Sequence, residues 1–101
     1  MNKVAVYGSL LSGLGNHGLL AESKLLGEAE TEPEFEMHDL GYYPGIMEGG
    51  NTPVKIEVYE VDEETFGRLD MLEGYPSFYN RKRIDTPFGE YWIYFLEERE
   101  W

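Results

Sequence analysis

The stretch LDMLEGYPSFYNR, residues 69–81, carries the signals that end the main predicted helix of this chain. Gly74 suits the position just past a helix end, and Pro76 prevents the helix from resuming. Upstream, Asp62 is a suitable N-cap, and the two glutamates that follow it interact favourably with the helix dipole. These signals predict a helix from Asp62 to Glu73.

The last residue of this helix, Glu73, occupies an unusual place for a carboxylate. The apolar side chains of the helix are those of Phe66, Leu69 and Leu72. Because successive helical residues turn by about 100°, Glu73 projects between Phe66 and Leu69 on the face that should be buried. Asp70 falls at the edge of the same face.

Two physical effects act on the Glu73 carboxyl if it is buried there. Desolvation disfavours its charged form, and the partial negative charge at the helix C-terminus disfavours that form again. Both raise the pKa of Glu73 from about 4.3 toward the range in which a carboxyl takes and gives a proton near neutral pH. Alternatively, Glu73 turns into solvent at a frayed helix end, and the pattern alone leaves both interpretations open.

The composition is that of a small globular protein. We expect residues 1–101 to form a single domain with one modest core. Hydrophobic residues make up 42% and aromatic residues 15% of the chain, which excludes a disordered protein. There is no cysteine, so disulfides, thiol nucleophiles and thiolate metal sites are excluded.

The charge and the apolar runs restrict the partners of the chain. A net charge of −12 repels phosphate backbones and anionic membranes, so we expect neither nucleic acid nor membrane as a partner. No apolar run approaches the roughly 18 residues of a membrane span. Residues 1–4 lead straight into a predicted strand without a signal-peptide pattern, and we therefore expect a cytoplasmic protein.

A short β-prone segment, KVAVY at residues 3–7, ends at Gly8 and leads into the loop GSLLSGLGNH. Gly8 allows a close approach of the backbone to a ligand, and Ser9 adds a hydroxyl donor. Successive amides of such a loop can form an anion-binding nest for a carboxylate. The glycine spacing fits neither a phosphate-binding loop nor a dinucleotide fingerprint, and an ordinary turn is the alternative.

The two histidines do not indicate a metal site. Asn16 is a plausible N-cap for a short helix carrying Leu19 and Leu20, and His17 lies at its start. His17 can line a site, but neither it nor His38 has a second histidine or an acidic cluster at metal-ligand spacing. We predict no metal.

The rest of the chain is predicted to be rich in strands. Val54, Ile56 and Val58 alternate on one face of a strand that leads into the helix. Turn-forming residues separate the other segments, and residues 41–45 and 48–53 are predicted turns or loops. The predicted strands are 24–31, 35–40, 54–61 and a hairpin of 81–86 with 91–96 across 87–90. Short strands with two helices indicate an α+β domain built on a small, mostly antiparallel sheet or barrel.

Several motifs of this chain resemble those of the gamma-glutamylcyclotransferase-like family. VYGSL at residues 6–10, followed by Gly13, Asn16-His17 and Leu20, is similar to the opening motif of the family. The stretch from Leu69 to Arg81 is similar to its second and more specific motif. The segments DLGYYPG at 39–45 and VYEVD at 58–62 also fall in the expected order. The resemblance spans nearly the whole chain.

The resemblance implies a small β-barrel flanked by two helices and an enzyme that releases 5-oxoproline from a gamma-glutamyl amine or peptide. Glu73 matches the general acid/base of the family, and no cofactor is implied. The loop that matches the glutamyl-binding loop consists of Tyr7, Gly8, Ser9 and Leu10. We also assign Tyr43, Tyr79 and Arg81 to substrate binding, although each can instead brace the barrel.

One position departs from the family pattern. Ile56 stands where the family usually has glycine, two residues before the Val58-Tyr59 pair. A filled or reshaped cavity would follow if this strand borders the pocket. The alternative hypothesis is therefore a non-enzymatic member, either a monomer or a homo-oligomer, that binds or sequesters a small metabolite.

Overall fold

The computed structural model describes residues 2–13, 15, 17–39 and 44–96. Among these residues one α-helix, α1, spans Glu63–Glu73, and two short 3₁₀ turns span Gly8–Leu10 and His17–Leu20. The strands in chain order are β1 (Asn2–Val6), β2 (Lys24–Glu30), β3 (Phe35–Asp39), β4 (Pro44–Glu48), β5 (Lys55–Val61), β6 (Tyr79–Thr86) and β7 (Gly89–Leu96).

The seven strands form one sheet in the order β2-β5-β1-β7-β4-β3, and β6 pairs with β7 off this path. Four strand pairs are antiparallel, whereas β7 runs parallel to both β1 and β4. In the described part of the chain no ladder joins β2 to β3, so the sheet is not a closed barrel. The α+β class is confirmed, but the barrel was wrong, since an alternating pattern identifies a strand without showing which partner closes the sheet.

The prediction of two flanking helices was also wrong for the described residues. The segment around Leu19 and Leu20 forms only the 3₁₀ turn His17–Leu20, which is too short for an α-helix. Its predicted N-cap, Asn16, lies outside the described residues. Leu20 is nevertheless fully buried, so this turn contributes to the core although it is not an α-helix.

Strand β4 was not predicted, and it shortens the predicted loops on both sides of it, since Glu48 is its last residue. Residues 44 and 45, assigned to a turn, instead open strand β4, with proline at the first position of the strand, where it is tolerated. The hairpin turn consists of residues 87 and 88 alone, because β7 already begins at Gly89. Leu40, the last residue of a predicted strand, lies outside the described residues.

The helix α1 has the predicted boundaries and caps. The Asp62 carboxylate accepts a hydrogen bond from the Thr65 N–H at 2.7 Å. Gly74 adopts a left-handed φ of 65°, and its N–H and that of Tyr75 donate to carbonyls of the last helical turn. This is the Schellman arrangement that a glycine after a helix permits.

Alternating side chains of the sheet build two core clusters, one on each face. In β5, Tyr59 and Val61 point to the face covered by Phe66 and Leu69 of α1, and this set is the helix-side cluster. Ile56 points the other way and joins the opposite cluster. The other main members of the opposite cluster are Ala5, Phe35, Ile46, Val54, Val58, Ile84, Tyr91, Ile93 and Phe95. The alternation predicted for β5 is confirmed.

Candidate functional site

Glu73 ends α1 on the face that packs against the sheet. The side chains on either side of it, Phe66 and Leu69, are 8% and 0% exposed, whereas Leu72 lies off this face and is 44% exposed. The Glu73 side chain is half-buried. Burial raises its pKa from 4.5 to about 7, and among the described residues no hydrogen bond to the carboxylate offsets this effect. Of the two interpretations left open by the sequence, the structure supports the buried carboxyl.

Tyr7 directly follows β1 and lies near Glu73. Its hydroxyl donates a hydrogen bond to the carbonyl oxygen of Tyr94 at 2.9 Å. Burial raises the pKa of Tyr7 well above its ordinary value, and the charges of Tyr79 and Glu73 raise it further. Two other residues predicted for the site, Glu73 and Tyr79, are therefore close enough to Tyr7 to act on it electrostatically.

The loop after β1 folds into the tight turn Gly8–Leu10. Gly8 has a φ of 62°, a left-handed conformation that favours glycine, and the Leu11 N–H donates to its carbonyl at 3.0 Å. Leu10 is buried in the helix-side cluster. The N–H groups at the start of such a turn, including that of Ser9, have no acceptor within the turn itself. Backbone donors thus stand beside Tyr7, and their contact with a substrate remains a prediction.

Arg81 is held within the protein by an acid and three aromatic rings. Its guanidinium donates to both carboxylate oxygens of Asp70, at 3.0 and 3.1 Å. The guanidinium carbon lies 4.1 Å from the ring centroid of Phe66, 4.4 Å from that of Tyr75 and 4.9 Å from that of Trp92. Arg81 therefore ties β6 to the helix that carries Glu73, and a contact with substrate stays a prediction.

Asp70 connects the Arg81 guanidinium to β7, the strand whose backbone accepts a hydrogen bond from Tyr7. The Tyr94 hydroxyl donates to the same carboxylate at 2.6 Å, and burial followed by this bond raises the pKa of Tyr94. Since the backbone of Tyr94 accepts from Tyr7, one residue of β7 contacts both the loop and the helix. The network fixes the end of α1 relative to Tyr7.

The two remaining predicted residues have different outcomes. Tyr79 is 4% exposed, belongs to the helix-side cluster and makes an edge contact with Phe78 at a centroid distance of 5.1 Å. Its ring therefore packs in the core next to the site. Tyr43 lies outside the described residues, so its assignment stays a prediction.

A buried acid, Glu57, was not among the predicted site residues. It lies in β5 as the cross-strand partner of Val6, directly beside the loop, and is 4% exposed. One of its carboxylate oxygens accepts from the Ser12 N–H at 2.9 Å, the Ser12 hydroxyl at 3.0 Å and the Tyr59 hydroxyl at 2.9 Å. The sequence contained one signal: Glu57 alternates with Ile56 and Val58, and a strand covered on both faces must bury it.

Ile56, the residue that departs from the family pattern, is fully buried in the opposite cluster. The residues of α1 that flank Glu73 belong to the helix-side cluster instead. The side chain of Ile56 therefore fills the core on the sheet face turned away from α1. Tyr7 packs against the same cluster.

The described part of the chain has neither a metal-binding cluster nor a membrane-spanning helix. No group of three or more acidic, histidine or cysteine side chains is placed to hold a metal ion there. Within the same residues, no helix has the length and apolar character that a membrane crossing requires.

The chain is similar in sequence to proteins that carry gamma-glutamylcyclotransferase names. The family described as "Gamma-glutamyl cyclotransferase, AIG2-like" matches residues 4–101. A Vibrio cholerae protein, provisionally named a gamma-glutamylcyclotransferase, is 52% identical over 95 residues, covering 94% of this chain and 82% of that protein. The gamma-glutamylcyclotransferase family protein YtfP of Escherichia coli K12 is 37% identical over 92 residues, covering 91% and 80%.

The fold has counterparts among solved structures. The crystal structure of an uncharacterized protein from Pyrococcus horikoshii superposes with a TM-score of 0.84 at 32% identity, covering 100% of this chain and 82% of that chain. The likeness thus extends along the chain in both sequence and fold.

Proposed function

This chain belongs to the gamma-glutamyl cyclotransferase, AIG2-like family, and from that premise we propose that it releases 5-oxoproline from a small gamma-glutamyl amine or peptide. The observation that carries the proposal is the Glu73 carboxyl, whose pKa is raised by burial to about 7 at the helix end beside Tyr7. Membership of a gamma-glutamylcyclotransferase-like family supports catalytic activity in this chain.

The proposed reaction is an intramolecular acyl transfer. The α-amine of the substrate attacks its own γ-carbonyl carbon, a ring C–N bond forms, and the bond to the leaving amine breaks. The α-amine is an ammonium at neutral pH and must first lose a proton. The leaving amine must gain one as it departs. A single carboxyl can serve both steps if its pKa lies near the working pH.

Glu73 meets this requirement in the proposed mechanism. As a carboxylate it takes a proton from the α-ammonium, and as a carboxylic acid it gives a proton to the leaving amine. The attacking nitrogen loses a second proton as the ring amide forms, and the same carboxyl passes this proton to the leaving amine, which departs as an ammonium. The atoms and charges balance without a covalent enzyme intermediate, and the protein is unchanged at the end. A pKa of about 7 leaves both protonation states well populated near neutral pH.

Substrate binding is assigned to the turn after β1. The N–H groups at the start of Gly8–Leu10 would donate to the glutamyl part of the substrate, and donors near the γ-carbonyl would stabilise its oxyanion. Tyr7 would bound the same space, since its hydroxyl is held on Tyr94 and is affected by the charge of Glu73. The hydrogen bonds of Asp70 with Arg81 and Tyr94 would hold Glu73 in a fixed position relative to this turn.

The alternative of a binding protein without turnover depended on Ile56. That side chain belongs to the cluster that Tyr7 packs against and not to the residues that flank Glu73, so it leaves the acid/base in place and we prefer the enzyme. Binding without turnover is one outcome of the test below.

The test is an assay of 5-oxoproline release from a panel of gamma-glutamyl amines and short gamma-glutamyl peptides. We expect the wild-type protein to release 5-oxoproline from at least one member of the panel and Glu73→Gln to release none, because the amide cannot exchange the proton. Glu22→Gln, a change at an exposed carboxylate, is the matched control and should keep the wild-type rate.

Two results would count against the proposal. Equal release by Glu73→Gln would remove this residue from the mechanism. No release from any member of the panel, together with binding of gamma-glutamyl compounds, would support the binding protein instead.

A further inference from the structure

We propose that Glu57 is a positioning residue whose buried carboxylate anchors the loop of residues 8–12 in the conformation that receives the substrate. This inference rests on the proposed function, because it assigns a role to the loop in substrate binding. The anchor itself is a property of the structure and can be tested without turnover.

The contacts of Glu57 are concentrated on the loop rather than on its own strand. Three donors converge on one carboxylate oxygen, and two of them belong to Ser12. Ser12 is exposed, so the order of this part of the loop cannot come from burial of its side chain. The hydrogen bonds to Glu57 hold it against β5, and the Ser12 hydroxyl also lies 3.3 Å from that of Tyr59 in the same strand.

A charged acceptor suits this place better than a neutral one. Burial acts to raise the pKa of Glu57, but the hydrogen bonds from Ser12 and Tyr59 outweigh it, and the pKa falls below its ordinary value. The carboxylate is therefore ionised at neutral pH although only 4% of the residue is exposed. Hydrogen bonds to an ionised acceptor are roughly twice as strong as those between neutral groups.

The loop is fastened at a second point by His17. Its Nδ1 lies 3.1 Å from the carbonyl oxygen of Leu10, and its ring packs against that of Tyr59 at a centroid distance of 5.9 Å. Tyr59 in turn donates to Glu57, so the two fastenings share one tyrosine. The turn Gly8–Leu10 thus lies between Tyr7, which is held on Tyr94, and Ser12, which is held on Glu57.

An anchor of this kind predicts a particular kinetic change. The turn holds the substrate in the proposed reaction, whereas Glu73 moves the protons. Loosening the turn should weaken substrate binding more than it slows proton transfer. For Glu57→Gln we expect KM to rise about tenfold and kcat to change by less than threefold, since charge-assisted bonds are replaced by neutral ones.

The experiment combines amide hydrogen exchange with steady-state kinetics. Exchange is followed by NMR at Ser12 and Leu11, whose N–H groups are hydrogen-bonded in the structure. We expect exchange at both to be about tenfold faster in Glu57→Gln. The control is Glu28→Gln, which removes the same charge at the exposed cross-strand neighbour of Glu57 and should leave exchange and KM unchanged.

The two arms separate failure of the anchor from failure of the proposed function. Unchanged exchange at Ser12 and Leu11 in Glu57→Gln would overturn the anchor whatever the activity. Faster exchange with an unchanged KM would overturn the role in substrate binding. If the wild-type protein turned over no gamma-glutamyl compound, the proposed function would fail, and the exchange result alone would decide the anchor.

Milder variants keep the inference testable if Glu57→Gln does not fold. Ser12→Ala and Tyr59→Phe each remove one hydroxyl donor from the same carboxylate oxygen. Each should accelerate exchange at Ser12 by severalfold, and identical exchange in wild type and both variants would overturn the anchor.

Discussion

Replacing Glu73 by glutamine should make the protein more stable at pH 8 while it abolishes turnover. The substitution is nearly isosteric with the protonated side chain, so the packing between Phe66 and Leu69 should remain. What it removes is a negative charge in a half-buried place at the end of a helix. Active sites commonly keep such unfavourable groups because the chemistry requires them.

The size of the effect follows from the pKa of Glu73. Its ordinary value is 4.5 and its value in the folded protein is about 7. Each tenfold change in proton affinity corresponds to about 1.4 kcal/mol, so ionising Glu73 in the folded state costs up to about 3 kcal/mol relative to the unfolded chain. Because the side chain is partly exposed, this value is an upper bound.

The sign and the pH window follow from which state binds the proton. Below about pH 4.5 Glu73 is protonated in both states and contributes nothing. Between about 4.5 and 7 the folded state binds more protons than the unfolded state, so the contribution of Glu73 to stability falls as the pH rises. Above about pH 7 the penalty is complete. The glutamine variant has no such term at any pH.

The assay is urea unfolding of wild type and Glu73→Gln at several pH values between 4.5 and 8. The difference in the free energy of unfolding should be close to zero at pH 4.5 and reach about 2–3 kcal/mol in favour of the variant at pH 8. Other titrating groups cancel in this difference, and Glu22→Gln should show no comparable trend. A difference that is the same at pH 5 and pH 8 would refute the burial argument for Glu73.

Three further predictions concern turnover and the packing around the site. In the proposed enzyme kcat/KM should rise about tenfold per pH unit below an apparent pKa near 7 and then level off, because the carboxylate of Glu73 is the active base. A profile that is flat from pH 5 to 8 would contradict this. Arg81→Lys should lower the free energy of unfolding by about 1–2 kcal/mol, because an ammonium cannot bond to Asp70 and also stack flat on the three rings as the guanidinium does. Unchanged urea unfolding would contradict this. Gly74→Ala should lower the free energy of unfolding by about 1–2 kcal/mol, because φ is 65° and the added Cβ would lie 3.1 Å from that of Phe78. The measurement is the midpoint of thermal unfolding, and an unchanged midpoint would contradict the prediction.

Local sequence signals determined the helix that carries the candidate acid/base. Asp62, Gly74 and the spacing of Phe66 and Leu69 fixed the start, the end and the buried face of α1, because caps and helical periodicity act within a few residues. The same reasoning placed Glu73 on that face and gave the correct direction for its pKa. The family was also recognisable, since its motifs are contiguous in the chain.

The tertiary structure decided how the strands pair and which polar groups meet. Whether the sheet closes, and that β7 runs parallel to β1 and β4, depends on contacts between residues far apart in the chain. The sequence left open whether Arg81 binds substrate or braces the sheet, and the fold supplies Asp70 and three aromatic rings as its partners. The chain has 20 Asp and Glu residues, and the sequence does not set Glu57 apart as a site residue. Glu57 is buried because β1 and the loop of residues 8–12 pack against it. Burial and partners set the pKa of a carboxyl, and both arise only when distant segments pack together.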